Sequence, residues 1–112
     1  MDQCNKPVFD GEMITFTDKV SFRAIHSPCH TIGHMMYFTE FKDKDGKKDS
    51  FIFTGDCLFQ GGVGMFFEGT PRQMLAIIKD MVLKLPPTTQ MFFGHEYAYS
   101  NYKFAKSILP EN

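Results

Sequence analysis

The chain has 112 residues, a formal net charge of −1 and a pI of about 6.4. This balance of charge gives no basis for predicting a nucleic-acid partner or an anionic membrane surface. No apolar stretch approaches the ~20 residues that a membrane span needs. The chain does not open with a basic segment followed by an apolar one, so secretion is not expected. The length predicts one domain with a modest core. Cys4, Cys29 and Cys57 lie in no paired motif, which predicts reduced thiols in a cytosol-like compartment.

The first half of the chain predicts β-strands. β-type residues cluster in four segments separated by turn signals, at positions 12–16, 20–26, 35–41 and 50–54. The mixed-charge run from Lys42 to Asp49 predicts a solvated hairpin turn, and the glycine-rich stretch 61–64 predicts a permissive loop. The ring pairs Phe66–Phe67 and Phe92–Phe93 are expected in strands covered on both faces.

The second half predicts a helix, a strand and a second helix. Thr70 and Pro71 predict the N-cap and first residue of a helix that runs to Lys84. Its inward face is predicted at Leu75, Ile78, Val82 and Leu85. Residues 90–93 predict a short buried strand, and residues 100–109 a helix with three inward residues: Tyr102, Ala105 and Leu109. This order favours an α/β layer over an all-β barrel.

Metal-ligand side chains follow three of the predicted strands. His30 and His34, Asp56, and His95 each come just after a β-type segment. Because strand ends meet at the rim of a sheet, these residues predict a shared metal site. Asp56 either bridges two cations or forms a local cap or Asx-turn.

The two histidines of the first segment are expected to differ in role. In a helix, His30 and His34 would share a face, as in an i, i+4 metal pair. Pro28 and Gly33 argue against a helix there. We therefore expect one histidine to be a ligand and the other to be a hydrogen-bonded anchor.

Taken together, these motifs resemble those of the glyoxalase II (hydroxyacylglutathione hydrolase) branch of the metallo-β-lactamase superfamily. The resemblance extends from about Ile14 to Asn112. The order and spacing also match in five short motifs: SPCHTIGH at 27–34, FTGD at 53–56, FFEGT at 66–70, GHEY at 94–97 and SNYKFA at 100–105.

The resemblance implies a fold and a set of site residues. The fold would be the second half of an αββα sandwich, a mostly antiparallel or mixed sheet followed by helix, strand and helix, in one partial domain spanning 1–112. In that family a two-metal site activates a hydroxide that attacks a thioester such as S-lactoylglutathione. The resemblance implies that His30 binds one metal, that His95 binds the second and that Asp56, the catalytic carboxylate, bridges both. It also implies substrate contacts at Phe66, Phe67 and Tyr97, and a structural role for His34.

The sequence departs from the family pattern in two places. The signature Thr-His-x-His-x-Asp-His, which supplies four ligands in the family, does not occur, and the chain is expected to begin partway through the fold. Met65 stands where the family has Lys or Arg. We therefore expect a divalent metal (zinc, with iron or manganese as alternatives) to bind weakly or not at all to the chain alone. Whether the chain is itself an enzyme stays open.

Three alternative functions are therefore expected for this chain. The first is a thioesterase acting on glutathione thioesters, inactive or weak as this chain alone, in the cytoplasm or alternatively in mitochondria. The second is a non-catalytic interaction module, and the third is a persulfide dioxygenase-like iron enzyme, which the FFEGT loop disfavours. An exposed apolar sheet face or edge is expected, and with it self-association or a partner chain that completes the fold.

Overall fold

The computed structural model describes residues 5–109. Seven strands and two α-helices lie in this part of the chain: β1 (Met13–Thr15), β2 (Ser21–His26), β3 (Met35–Lys42), β4 (Lys48–Gly55), β5 (Leu58–Phe59), β6 (Gly62–Val63), α1 (Pro71–Asp80), β7 (Gln90–Phe93) and α2 (Ala98–Ile108). A 3₁₀-helix (Val82–Lys84) follows α1. None of the helices in residues 5–109 is long and apolar enough to cross a membrane. The predicted mixed α/β class is confirmed.

The main sheet has the order β1-β2-β3-β4-β7. β1 to β4 form an antiparallel meander, whereas β7 adds to β4 in parallel after the crossover through α1. The predicted turn between β3 and β4 is present, and the Asp43 carboxylate accepts hydrogen bonds from the backbone N–H groups of Asp45 and Lys47, both at 2.9 Å. The turn is shorter than predicted, because β4 begins at Lys48 and Lys48 pairs with Lys42 of β3.

One face of the sheet is packed under α1, and we call it the covered face. The side chains on this face form the hydrophobic core together with Met74 and Ile77 of α1; they are Ile25, Met36, Phe38, Ile52 and Met91. Thr70 caps α1 as predicted, since its hydroxyl accepts from the Gln73 backbone N–H while the Gln73 side chain accepts from the Thr70 N–H. This cap fixes the start of the helix that encloses the core.

The opposite face carries aromatic side chains and lies exposed; we call it the open face. Its rings form a connected series, with centroids 5.9 Å apart for Phe22–Phe53, 5.2 Å for Phe53–Phe92 and 5.7 Å for Phe51–Phe92. Phe53 and Phe92 are nevertheless 40% and 48% exposed. Ile14, Phe22, Tyr37 and Phe53 line an apolar cleft of about 460 Å³ on this face. The expectation of an exposed apolar sheet face is confirmed for the described residues.

Helix α1 differs from its prediction in two respects. It ends at Asp80, and a 3₁₀-helix continues to Lys84. Leu75 was predicted to face inward, and this is wrong, because Leu75 is 50% exposed. The buried stripe runs through Met74 and Ile77, and a residue one position further along the helix is turned by about 100° away from it.

Helix α2 is packed less closely than predicted. Tyr102 and Leu109 were expected to face inward, which is wrong, since they are 51% and 64% exposed, and Ala105 is only half-buried. The side-chain hydrogen bond from α2 to the rest of the chain runs from Asn101 Nδ2 to the Gln60 carbonyl at 3.0 Å. No residue of α2 is fully buried against the described part of the chain.

Two local predictions are corrected as well. The glycine-rich stretch is not only a loop, because Gly62 and Val63 form β6 and pair with β5. The pair Phe66–Phe67 lies in no strand, and Phe92–Phe93 lies in β7 with Phe92 on the open face. Cys29 and Cys57 are free thiols, as expected, whereas Cys4 lies outside the described residues.

Candidate metal centre and aromatic cleft

The sheet topology brings the three predicted strand ends to one edge. β2 and β4 both run antiparallel to β3, and β7 runs parallel to β4, so the carboxyl ends of β2, β4 and β7 point the same way. His30 lies in the loop after β2, Asp56 directly follows β4, and His95 lies two residues after β7. The predicted site residues therefore meet at this edge.

Asp56 lies between the two histidines. Its Oδ2 is 3.5 Å from His30 Nε2, and its Oδ1 is 3.1 Å from His95 Nε2. Each histidine thus faces a different oxygen of one carboxylate, which is the arrangement that a bridging ligand needs. The predicted convergence of His30, Asp56 and His95 is present in the structure.

Two glycines make this convergence possible. Gly55 ends β4 with a φ of +50°, a backbone conformation that other residues seldom adopt. A Cβ added to Gly94 would lie 2.7 Å from Asp56 Oδ1. Larger residues at these positions would therefore strain the turn or crowd the carboxylate.

The His30 ring is oriented by a backbone carbonyl. His30 Nδ1 lies 2.9 Å from the Met65 carbonyl oxygen, and since a carbonyl only accepts, Nδ1 carries the proton and donates. In the neutral ring Nε2 is then the nitrogen with the lone pair, and it faces Asp56 Oδ2 at 3.5 Å. A second partner that fixes the tautomer is typical of metal-binding histidines.

The loop that carries His30 is tied down at two further points. His34 Nδ1 lies 2.8 Å from the Ser27 hydroxyl, and the Glu68 carboxylate accepts a hydrogen bond from the Ile32 backbone N–H. Burial and the neighbouring His30 lower the pKa of His34, although Asp56 opposes the shift. His34 has the contacts of the anchoring histidine, and His30 has those of the candidate ligand.

Aromatic rings stand beside both candidate ligands. Phe67 packs edge-on against His30 with centroids 5.0 Å apart. The Tyr97 ring stacks on His95 at 5.3 Å and meets the ring of Phe59 at 5.1 Å. These rings, with His30, Asp56 and His95, line an open cleft of about 500 Å³.

The predicted substrate residues take different positions. Phe67 and Tyr97 line the cleft, while Phe66 packs against the hydrophobic core. Phe59 and Asn101, which were not predicted as site residues, also line the cleft. Asn101 lies four residues after Tyr97 on α2, a spacing that could have indicated a shared helix face. Phe59 carried no such signal.

The donor set fits a divalent metal but is small. Two ligands of one tetrahedral zinc ion at ~2.0–2.1 Å are separated by about 3.3 Å, close to the 3.1 and 3.5 Å seen here. Imidazole with carboxylate suits zinc, iron or manganese. Each oxygen of Asp56 faces only one histidine, however, and no group of three His, Cys, Asp or Glu within residues 5–109 is arranged to hold an ion.

The two described thiols do not add ligands or a nucleophile. Cys29 and Cys57 are fully buried. Burial raises the pKa of the Cys29 thiol, and burial with the nearby Cys29 raises that of Cys57 to about 11, despite a hydrogen bond with Ser27. Both thiols are therefore protonated near neutral pH, whereas metal binding and nucleophilic attack require thiolates.

Comparison with known proteins identifies relatives over most of the chain. No family model matches. Over 109 residues the chain is 39% identical to a cytoplasmic hydroxyacylglutathione hydrolase of Arabidopsis thaliana, in an alignment that covers 97% of this chain and 41% of that protein. It is 43% identical over 106 residues to a hydroxyacylglutathione hydrolase-like protein of Gallus gallus, covering 94% of this chain and 36% of that protein.

Part of a solved structure has the same fold as this chain. A metallo-β-lactamase from Staphylococcus aureus superposes with a TM-score of 0.69 at 23% identity, over 86% of this chain and 30% of that chain. The chain spans 34 to 41% of the length of the curated relatives that it matches. The resemblance found in the motifs is confirmed: the chain is homologous over nearly its whole length to part of the hydroxyacylglutathione hydrolases, and its fold matches part of the metallo-β-lactamase fold.

Proposed function

We propose that this chain provides part of the metal-dependent site of a hydroxyacylglutathione hydrolase-type thioesterase. The observation that supports this proposal is the placement of His30 and His95 on opposite oxygens of Asp56, at 3.5 and 3.1 Å. His30, Asp56 and His95 would hold a divalent metal, zinc first and iron or manganese as alternatives. Bound there, the metal would supply Lewis acidity.

The reaction is hydrolysis of a thioester to a carboxylic acid and a thiol, with water as the other reactant. Asp56 spans the two histidines, and the Met65 carbonyl accepts a hydrogen bond from His30 Nδ1, so that Nε2 is the ring nitrogen that would bind the metal. The cleft beside them, lined by Phe67 and Tyr97, would receive the thioester. The relatives' name points to glutathione as the thiol carrier and, for the Arabidopsis protein, to the cytoplasm as the compartment.

The donor count predicts weak activity by this chain alone. A catalytic zinc site has three protein ligands, whereas each oxygen of Asp56 here faces one histidine. Further ligands would come from a second polypeptide segment, supplied by self-association or by a partner chain. The proposal takes residues 1–112 as one partial domain that contributes some of the metal ligands.

An interaction module is the second candidate, and the open face favours it. Phe53 and Phe92 remain 40% and 48% exposed on that face, although apolar surface of this kind is usually covered. A persulfide dioxygenase-like iron enzyme has no comparable support, because the loop at 66–70 resembles that of the thioesterases.

Metal binding gives the first test. Zinc affinity is measured by competition with a chromophoric chelator for the unaltered chain and for His30→Ala, His95→Ala and Asp56→Asn. Each variant is expected to lose at least about tenfold in affinity, as expected for a change at a metal site. The matched control, Asp18→Asn, removes an exposed carboxylate away from the cleft. Zinc affinity that is the same in Asp56→Asn and Asp18→Asn would refute the site.

Hydrolysis gives the second test. S-lactoylglutathione is incubated with the zinc-loaded chain, and thiol release is followed. Slow hydrolysis that disappears in Asp56→Asn would support the proposal. Turnover at the rates of complete enzymes would contradict the incomplete ligand set, and absence of zinc-dependent hydrolysis with intact zinc binding would favour the interaction module.

A further inference from the structure

The segment 64–70, which includes the FFEGT motif, lies against the backbone on which two of the candidate ligands are carried. A Cβ added to Gly64 would collide with the Asp56 carbonyl oxygen. A Cβ added to Gly69 would collide with the backbone of Cys29, the neighbour of a second candidate ligand. The position of this segment is therefore fixed relative to the candidate metal centre.

Two hydrogen bonds join this segment to the loop that carries His30. The Met65 carbonyl accepts from His30 Nδ1 at 2.9 Å, and the Glu68 carboxylate accepts from the Ile32 backbone N–H. The first bond uses a backbone oxygen that every residue type supplies, whereas the second depends on the Glu68 side chain. Because the two bonds lie close together on both pieces of chain, each one restricts the geometry of the other.

The loop after His30 has little packing of its own. Ile32 is 72% exposed, and the residues on either side of it are exposed as well. Two side chains hold its peptide groups: His26 Nε2 lies 2.9 Å from the Ile32 carbonyl oxygen, and Glu68 accepts from the Ile32 N–H. His26 ties the loop to β2, whereas Glu68 ties it to the segment that carries Met65. The Glu68 bond has a charged acceptor, which makes it stronger than a bond between neutral groups.

We infer that Glu68 is a positioning residue for His30. By holding Ile32 it keeps the loop against the segment 64–70, so that the Met65 carbonyl accepts from Nδ1 and Nε2 is presented to a metal. The inference rests on the proposed function and deepens it, because the glutamate of the FFEGT motif is neither a predicted ligand nor a predicted substrate contact. Residues that orient metal-binding histidines influence metal affinity without touching the metal.

The first test needs no metal. Long-range ¹H–¹⁵N NMR of the imidazole rings shows which ring nitrogen carries the proton. In the unaltered chain His30 is expected to be protonated at Nδ1, and in Glu68→Ala it is expected to change to a mixture of both tautomers. Glu68→Gln keeps an oxygen that accepts from the Ile32 N–H and is expected to keep the single tautomer. The Ile32 amide is expected to exchange at least about threefold faster in Glu68→Ala than in the unaltered chain.

Zinc affinity measures the consequence for the candidate metal centre. In competition with a chromophoric chelator, Glu68→Ala is expected to bind zinc at least about threefold more weakly than the unaltered chain, and Glu68→Gln is expected to stay within about twofold of it. The matched control is Glu12→Ala. The Glu12 carboxylate also accepts from a backbone N–H, that of Phe9 at 3.0 Å, and it precedes β1, outside the cleft. Its loss is expected to leave the zinc affinity and the His30 tautomer unchanged.

The outcomes separate the role of Glu68 from the proposed function. Equal losses of zinc affinity in Glu68→Gln and Glu68→Ala would overturn the inference, because the charge and not the hydrogen bond would then act. Equal effects of Glu68→Ala and Glu12→Ala would overturn it as well. An Ile32 amide that exchanges in the unaltered chain as fast as in an unstructured peptide would overturn it without any variant. Zinc affinity that is unchanged in His30→Ala would refute the proposed function, whereas the His30 tautomer in the metal-free chain would still report whether Glu68 positions the ring.

Discussion

The two faces of the main sheet have similar apolar side chains but different surroundings. Along β4, Ile52 points to the covered face and is 4% exposed, whereas its neighbour Phe53 points to the open face and is 40% exposed. Continuous apolar strands of this kind are typical of sheets that are packed on both sides. The strands therefore carry apolar side chains on both faces of the sheet. Within the described residues, only the covered face is packed against a helix.

The open face compensates in part by packing its rings against one another. Phe53 stacks on Phe92 at 5.2 Å, and Phe41 stacks on Phe51 at 5.3 Å. Such ring pairs contribute about 0.5–1.5 kcal/mol each beyond area burial. They do not remove the remaining apolar surface from water, so the open face keeps a driving force for association.

The largest expected effect is the loss of core packing on the covered face. Ile52→Ala is expected to reduce the free energy of unfolding by about 2–5 kcal/mol, because it leaves a cavity beneath α1. Phe53→Ala, one residue away on the open face, is expected to cost below about 2 kcal/mol, because much of its ring is already in water. Urea denaturation of both variants measures the difference. Equal losses would show that the open face is buried in solution.

The next effect concerns association through the open face. The unaltered chain is expected to show a mass that rises with concentration in sedimentation equilibrium. Phe53→Lys and Phe92→Lys are each expected to weaken this association by at least about tenfold, because an unpaired ammonium group would have to be buried. Phe104→Lys is the matched control, since Phe104 is 65% exposed on α2 and lies outside the sheet. A mass independent of concentration in the unaltered chain would contradict the prediction.

Sequence patterns predicted the site residues better than they predicted their contacts. The strand ends at His30, Asp56 and His95 could be read from β-type segments and flanking turn residues, because chain direction in the sheet then places them at one edge. The orientation of His30 could not, since its partner is the backbone carbonyl of Met65, which carries no residue-type signal.

Apolar periodicity predicted buried residues only in the helix that packs against the sheet. In α1 the apolar stripe packs on the sheet; Ile78, Val82 and Leu85 are partly buried as predicted, Leu75 is exposed, and the two fully buried residues, Met74 and Ile77, were not predicted. In α2 the same kind of pattern gave inward positions for Tyr102 and Leu109, which are exposed because the helix is joined to the described chain mainly near Asn101. Periodicity identifies an apolar face but cannot show whether a partner surface is present.

A smaller effect is expected at the cap of the covering helix. Thr70→Ala removes the hydroxyl that accepts from the Gln73 N–H and is expected to reduce the free energy of unfolding by about 1 kcal/mol. Thr88→Ala, at an exposed position in the loop before β7, is the control and is expected to have little effect. An equal response of both variants in urea denaturation would show that the cap does not help to hold α1 over the covered face.

The smallest perturbation is thiol labelling, which compares the two faces in the folded chain. Cys29 and Cys57 belong to the core of the covered face. Their burial and the raised pKa of Cys57, about 11, predict slow reaction with iodoacetamide near neutral pH. In a Cys4→Ser background, both are expected to react at least about 100-fold more slowly than a thiol introduced by Phe53→Cys on the open face, because reaction requires local opening. Mass spectrometry of timed samples gives the rates. Rapid labelling of Cys57 would mean that α1 leaves the covered face often, and the two faces would then differ less than their exposed fractions indicate.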